Sequence, residues 1–161
     1  GLGGAAIETA GSAEVQVHGV PLVGGTNCTG QVAPAVSGPG VVLAQPPLPV
    51  LSLAGEPALA TGTLTLSLSG GPADAVFGVL LDDSPAFFGI PGPFLGEFLL
   101  APPSVLFVLG TLSSTGGFGM TIPLSGLPPS LAYTSFHLQG AALDGGGTWR
   151  LTNSVAGILR P

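Results

Sequence analysis

Thr61-Gly62-Thr63-Leu64-Thr65-Leu66-Ser67-Leu68-Ser69 alternates leucine with hydroxyl residues at every second position, and this run decides the fold class. In an extended chain Leu64, Leu66 and Leu68 share one face and Thr63, Thr65 and Ser67 the other, which is the pattern of a strand with one side in a core. Gly70-Gly71-Pro72 ends it as a turn. The next run, Ala75 to Leu81, is apolar on both faces, as a central sandwich strand is, and stops at Asp82-Asp83-Ser84-Pro85.

Working outward, Val50 to Ala54, Glu97 to Leu100, Val105 to Leu109, Phe118 to Leu124, Tyr133 to Leu143 and Thr148 to Leu159 read as further strands between turn residues such as Gly116-Gly117 and Leu127-Pro128-Pro129-Ser130. Helical periodicity is absent, because Gly or Pro interrupts nearly every window long enough to show it. Strands at short intervals with no helices between them predict an all-β fold: an antiparallel β-sandwich, Ig-like or jelly-roll, built by residues 50–161. Residues 1–23 are then an extended N-terminal arm and residues 24–49 a Gly/Pro-rich connector. Within the connector Val41-Val42-Leu43-Ala44 predicts one more strand, and Gln45-Pro46-Pro47-Leu48-Pro49 a stiff polyproline piece.

Composition narrows the function classes. Apolar residues make up 45% of the 161, charged residues only 6%, and there are 28 glycines and 17 prolines. The usual charged share is roughly a quarter, so the surface is built from Gly, Ser, Thr and backbone. Lysine is absent, Arg150 and Arg160 are the only basic side chains besides histidine, and the formal charge is −6. Nucleic acid is excluded as a partner, since phosphate binding takes Lys and Arg in number. Uncharged strand edges also lack the usual protection against pairing with another chain. The most apolar stretch, Phe94 to Leu112, is broken by Glu97 and by Pro102-Pro103 and is no membrane span. The start Gly1-Leu2-Gly3-Gly4 fits a mature chain whose signal peptide has been removed, and the protein is expected to be secreted, extracellular or at the cell surface.

Chemistry-bearing residues are few. His18 and His137 lie in strand patterns among polar neighbours, with no nucleophile elbow and no clustered ligand set, so no enzymatic activity is expected. Asp82-Asp83 and Asp144-Gly145-Gly146-Gly147 invite a calcium reading, but neither has the alternating carboxylates of a calcium loop, and Asp-rich turns form routinely without metal. No cofactor is expected. Asn27-Cys28-Thr29 matches the N-glycosylation acceptor pattern, which makes Asn27 and Thr29 candidate modification residues, and exposed Ser and Thr offer places for O-linked sugars. The single Cys28 has no partner within the chain. Trp149 is expected in the sandwich core with Arg150 on the opposite face, and Phe87, Phe88 and Phe94 are expected as core residues.

Ile122-Pro123-Leu124, Leu127-Pro128, Tyr133, Phe136-His137-Leu138-Gln139-Gly140-Ala141-Ala142-Leu143-Asp144 and Leu151-Thr152-Asn153-Ser154 together resemble the ending of a group of secreted bacterial Gly/Pro-rich proteins. That ending has an aromatic-x-Gln strand closing on Leu-Asp, a glycine-rich turn, and a last strand containing Ser-Asn, which is inverted here. The resemblance spans residues 60–160 and implies an Ig-like β-sandwich in an exported protein, with no activity attached.

There remains the arm. Ala13-Glu14-Val15-Gln16-Val17-His18-Gly19-Val20 alternates like a half-buried strand, with Ile7 ahead of it. Its pairing partner is open among three: its own sandwich, none, or a neighbouring copy by β-strand addition. The last of these makes Ile7, Ala13, Val15, Val17 and Val20 an assembly strand. A head-to-tail contact of that kind propagates into an open polymer of copies of the chain. The expected function is an extracellular structural subunit that polymerises into a fibril or surface filament; the alternative is a secreted adhesin or glycan-binding module.

Overall fold

The structure, a computed structural model, describes residues 5–12, 14–18, 22–45, 47–88 and 92–161. The chain divides into two units, Gly1–Pro47 and Leu48–Pro161.

The first unit holds β1 (Ile7–Glu8), β2 (Glu14–His18), β3 (Val36–Ser37) and β4 (Val41–Gln45). β1 runs parallel to β3, and β2 runs parallel to β4 from Glu14 opposite Val41 to His18 opposite Gln45. The arm and the segment read as a connector are therefore one unit, with the connector supplying both partner strands. Parallel pairing needs a long return between strands, and the Gly/Pro-rich composition that looked like a linker supplies the turns of that return. One of them is a tight loop from Asn27 to Gln31, flanked by the antiparallel bridge Thr26–Val32.

Thr9 anchors this unit. It is buried, its N–H donates to the Ser37 carbonyl at 2.8 Å, and its Oγ1 donates to the same carbonyl at 3.2 Å while accepting from the Gly40 N–H at 2.9 Å. Gly38 lies with positive φ against the Thr9 carbonyl, where no Cβ fits.

The second unit is an all-β sandwich. In chain order it contains β5 (Val50–Gly55), β6 (Thr63–Ser69), β7 (Val76–Asp82), β8 (Pro85–Phe88), β9 (Phe94–Leu95), β10 (Phe98–Leu100), β11 (Val105–Thr111), β12 (Phe118–Pro123), a single 3-10 turn Pro129–Leu131, β13 (Ser135–Leu143) and β14 (Trp149–Ile158). One sheet has the order β12-β6-β5 and is antiparallel throughout. The other has the order β11-β7-β13-β14-β9, antiparallel except for the two-residue β9, and β8 pairs with β10 separately.

Leu51, Leu66 and Leu68 from the first sheet meet Phe77, Val79, Leu138 and Ala142 from the second in one apolar core. Leu66 and Phe77 are both 0% exposed, so the leucine face of Thr61–Ser69 and the central position of β7 follow the alternation read from the sequence. Phe118 adds a ring contact to Phe77, with centroids 4.5 Å apart.

Two core assignments are corrected. Phe87 is 72% exposed, because β8 lies in the small pair with β10 instead of in a main sheet. Trp149 is half-buried and sits where β14 meets the short β9, opposite Phe94, which is itself half-buried. Phe87 and Phe94 lie at sheet margins. The side chain of Phe88 lies outside the described residues.

Candidate strand-acceptor edge

A two-sheet sandwich ends in edge strands, and each exposes unpaired backbone groups unless something covers them. In the second unit the edges are β5, β9, β11 and β12, and they are treated differently, β12 closing on Pro123. β9 is only two residues long. The β5 edge is tied by a side chain: Asn153 on β14 accepts from the Leu51 N–H at 2.9 Å and donates to the Leu51 carbonyl at 3.0 Å, filling the place of a neighbouring backbone.

β11 has no such cover among the described residues. It is seven residues long, Val-Leu-Phe-Val-Leu-Gly-Thr, it ends its sheet, and it carries no charge or proline. Val105 and Leu109 are 64% and 66% exposed, and Leu106 is exposed too. The pairing with β7 slips between Leu106 and Val108, so that Phe107 is an extra residue in a bulge.

An open cleft of about 530 Å³ lies between Val105 and Phe107 of β11, Ile122 of β12, and Leu127 and Leu131 after it, with Phe136 and Leu138 of β13 at its back. Phe107, the bulged residue, lines this space together with Val105. Polar groups are confined to Asp82, Asp83, Thr134 and Ser135. Asp82 accepts from the Ser84 N–H and Asp83 from the Ser84 hydroxyl, which shapes the turn at the end of β7. The cleft has the size and apolar character of a binding site, and it opens beside a strand with a free edge, the two elements that strand addition uses.

Gln139 on β13 is 1% exposed. Its Nε2 donates to the carbonyls of Glu97 at 2.7 Å and Thr152 at 2.9 Å, and its Oε1 accepts from the Leu99 N–H at 2.9 Å. Gln139 and Asn153 are thus amide clamps between layers, and both belong to the sequence ending described above.

The candidate assembly residues fall in the first unit. Ile7 is half-buried and pairs with Val36; Val15 and Val17 are half-buried and pair with Val42 and Ala44. Ala13 and Val20 lie outside the described residues. β2 has a partner strand, β4, within its own unit.

Asn27 Oδ1 accepts from the Thr29 N–H, the Thr29 hydroxyl and the Gln31 N–H, and its amide donates to Gln31 Oε1, so the acceptor triplet forms a closed turn with Cys28 and Thr29 exposed. His137 on β13 pairs with Asp82 and Ala156 along the ladders. Asp144 is taken up by its own turn: Oδ1 accepts from the N–H groups of Thr148 and Gly146, and Oδ2 from Arg150 at 3.2 Å. The Thr148 N–H above all, then Gly146 and the Arg150 guanidinium, hold its carboxyl below the ordinary 3.8 against the opposing effect of partial desolvation. Among the described residues no cluster of His, Cys, Asp and Glu has the makings of a metal site, and no helix is long and apolar enough to cross a membrane.

The sequence did not single out the cleft. Val105 to Leu109 reads as an apolar strand, and nothing in a linear pattern says whether such a strand is central or at an edge.

No family model matches the chain, and no curated protein matches it. Among solved structures it is similar to Spo0M, a sporulation control protein from Bacillus subtilis, at 9% identity and a TM-score of 0.34, over 71% of this chain and 50% of that one. The chain spans half the length of that protein, and a likeness of this size carries no argument.

Proposed function

We propose that the protein is an extracellular structural subunit that assembles head-to-tail by β-strand addition, the strand of residues 14–18 of one copy pairing with β11 of the next. The observation that carries this reading is the long, uncharged, apolar edge of β11 above an open apolar cleft. Monomeric proteins protect such edges with charge, proline or a covering element. The donor side is supported by the state of β2. It is one of only two strands in a parallel ribbon, the arrangement least able to stand alone, and its Val15 and Val17 lie two residues apart, as side chains entering one groove must.

Full burial of an exposed valine contributes ~1.5 to 3 kcal/mol, and Val15 and Val17 are already half-buried, so completing their burial adds only part of that to the backbone hydrogen bonds of the junction. The contact is heterologous, and copies joined by it form an open polymer. Secretion and the absence of a catalytic role belong to the same reading.

Negative-stain imaging of the purified protein is the first test. Uniform fibres are expected, and a sharp monomer at high concentration refutes the proposal. Removing residues 1–20 is expected to abolish fibres and leave a folded sandwich that a peptide of residues 5–20 stabilises by occupying the empty edge. Fibres of unchanged subunit spacing from the truncated chain refute strand donation.

A second reading, a glycan-binding module, is favoured by Tyr133, which is 77% exposed and held at φ 67 by the turn before β13. Retention of the protein, and not of Tyr133→Ala, on a polysaccharide matrix tests it.

A further inference from the structure

The donor strand is tethered on both sides. Ahead of it, Thr9 is locked to Ser37 and Gly40 by three hydrogen bonds; behind it, the Ala33 N–H donates to the Gly25 carbonyl at 2.9 Å and Gly24 packs against the Ala33 backbone too closely to admit a Cβ. Among the described residues between Thr9 and β2, Ala10, Gly11 and Ser12 are exposed, with Gly11 at φ +60 and no atom within 4 Å of the position its Cβ would take. β2 thus follows a glycine whose conformation leaves it room to turn, and lies along β4 over its whole length.

Resting on the strand-donation reading, we infer that β4 is a built-in competitor for the donor strand: pairing with β4 shelters β2 in the single chain, and assembly exchanges β4 for the β11 edge of a second copy, with β2 released between the anchors at Thr9 and Gly24. The exchange is favoured because the ladder with β4 is a two-stranded parallel ribbon, whereas the β11 site extends an existing sheet and faces an apolar cleft. It is also local, since the anchors at Thr9 and Gly24 stay in place. The vacated backbone groups of β4 pass to solvent.

A covalent lock tests this. Val15 and Val42 are direct partners in the ladder, within the Cα separation that a disulfide spans. In a Cys28→Ser background, Val15→Cys with Val42→Cys is expected to form no fibres when oxidised and to regain the fibres of the Cys28→Ser parent on reduction. Oxidised protein that assembles at the parent's rate and spacing overturns the inference. The second readout is amide exchange at residues 41–45 in the unlocked parent: protection present in the monomer is expected to be lost in the fibre, and protection retained there overturns the exchange while leaving strand donation standing. If the parent forms no fibres at all, strand donation itself fails and the competitor role with it.

Discussion

Replacing Gln139 by leucine isolates the energetic role of the clamp that holds residues 97–99 to the sandwich. The side chain is 1% exposed and makes three hydrogen bonds, two donated to the carbonyls of Glu97 and Thr152 and one accepted from the Leu99 N–H. Each is worth about 0.5–1.5 kcal/mol net, so the three together contribute about 1.5–4.5 kcal/mol. Leucine is similar in volume and returns about 1 kcal/mol through added apolar burial, leaving a loss of about 0.5–3.5 kcal/mol. In urea unfolding followed by circular dichroism, with a slope of about 1–3 kcal/mol/M, the midpoint is expected to fall by about 1 M. A midpoint within error of the parent refutes the argument, because three backbone groups would then have found replacement partners at no cost.

Gln139→Glu sharpens the test through pH. A carboxylate there faces two carbonyls and loses both donors, so the charged form is disfavoured and the pKa in the folded state rises above its unfolded value. Such a group contributes stability that is present below the unfolded pKa and is lost as pH rises through the folded pKa. The glutamate variant is therefore expected to lie closer to the parent in acid than at neutral pH, and the reverse order counts against the geometry.

Leu109→Lys places a charge on the exposed edge of β11 and is expected to leave unfolding within about 0.5 kcal/mol of the parent while abolishing fibres seen by electron microscopy. Copies with a formal charge of −6 repel one another, so shortening the Debye length from ~30 Å to ~8 Å with salt is expected to speed assembly measured by light scattering; slower assembly would point to an attractive charge contact instead. The depressed pKa of Asp144 means that its contribution to the turn is present above the unfolded carboxylate pKa and is lost as pH falls through the lower folded one. Protection of the Gly146 and Thr148 amides, taken relative to the intrinsic exchange rate at each pH, is expected to fall over that acidic range, and Asp144→Asn is expected to remove this change in protection.

The all-β class, most strand positions and the inward leucines of β6 were legible in the sequence, because a period of two is a local property: successive side chains of an extended chain point to opposite faces whatever lies around them. The turns were legible for the same reason. Pairing is not local. That β2 lies parallel to β4, with 22 residues between His18 and Val41, depends on a return path that the Gly/Pro-rich segment also allows to stay open, and the apolar run Val105–Leu109 has the same composition whether it is central or at an edge. Only the tertiary structure put β11 outside β7, inserted the Phe107 bulge, and left the cleft beneath it. Gln139 and Asn153 stood in a recognisable ending, yet their role as clamps on Glu97, Leu99 and Leu51 exists only once segments 40 and 102 residues away are folded against them. A pattern of alternating side chains says which face is buried, and long-range packing alone determines against what.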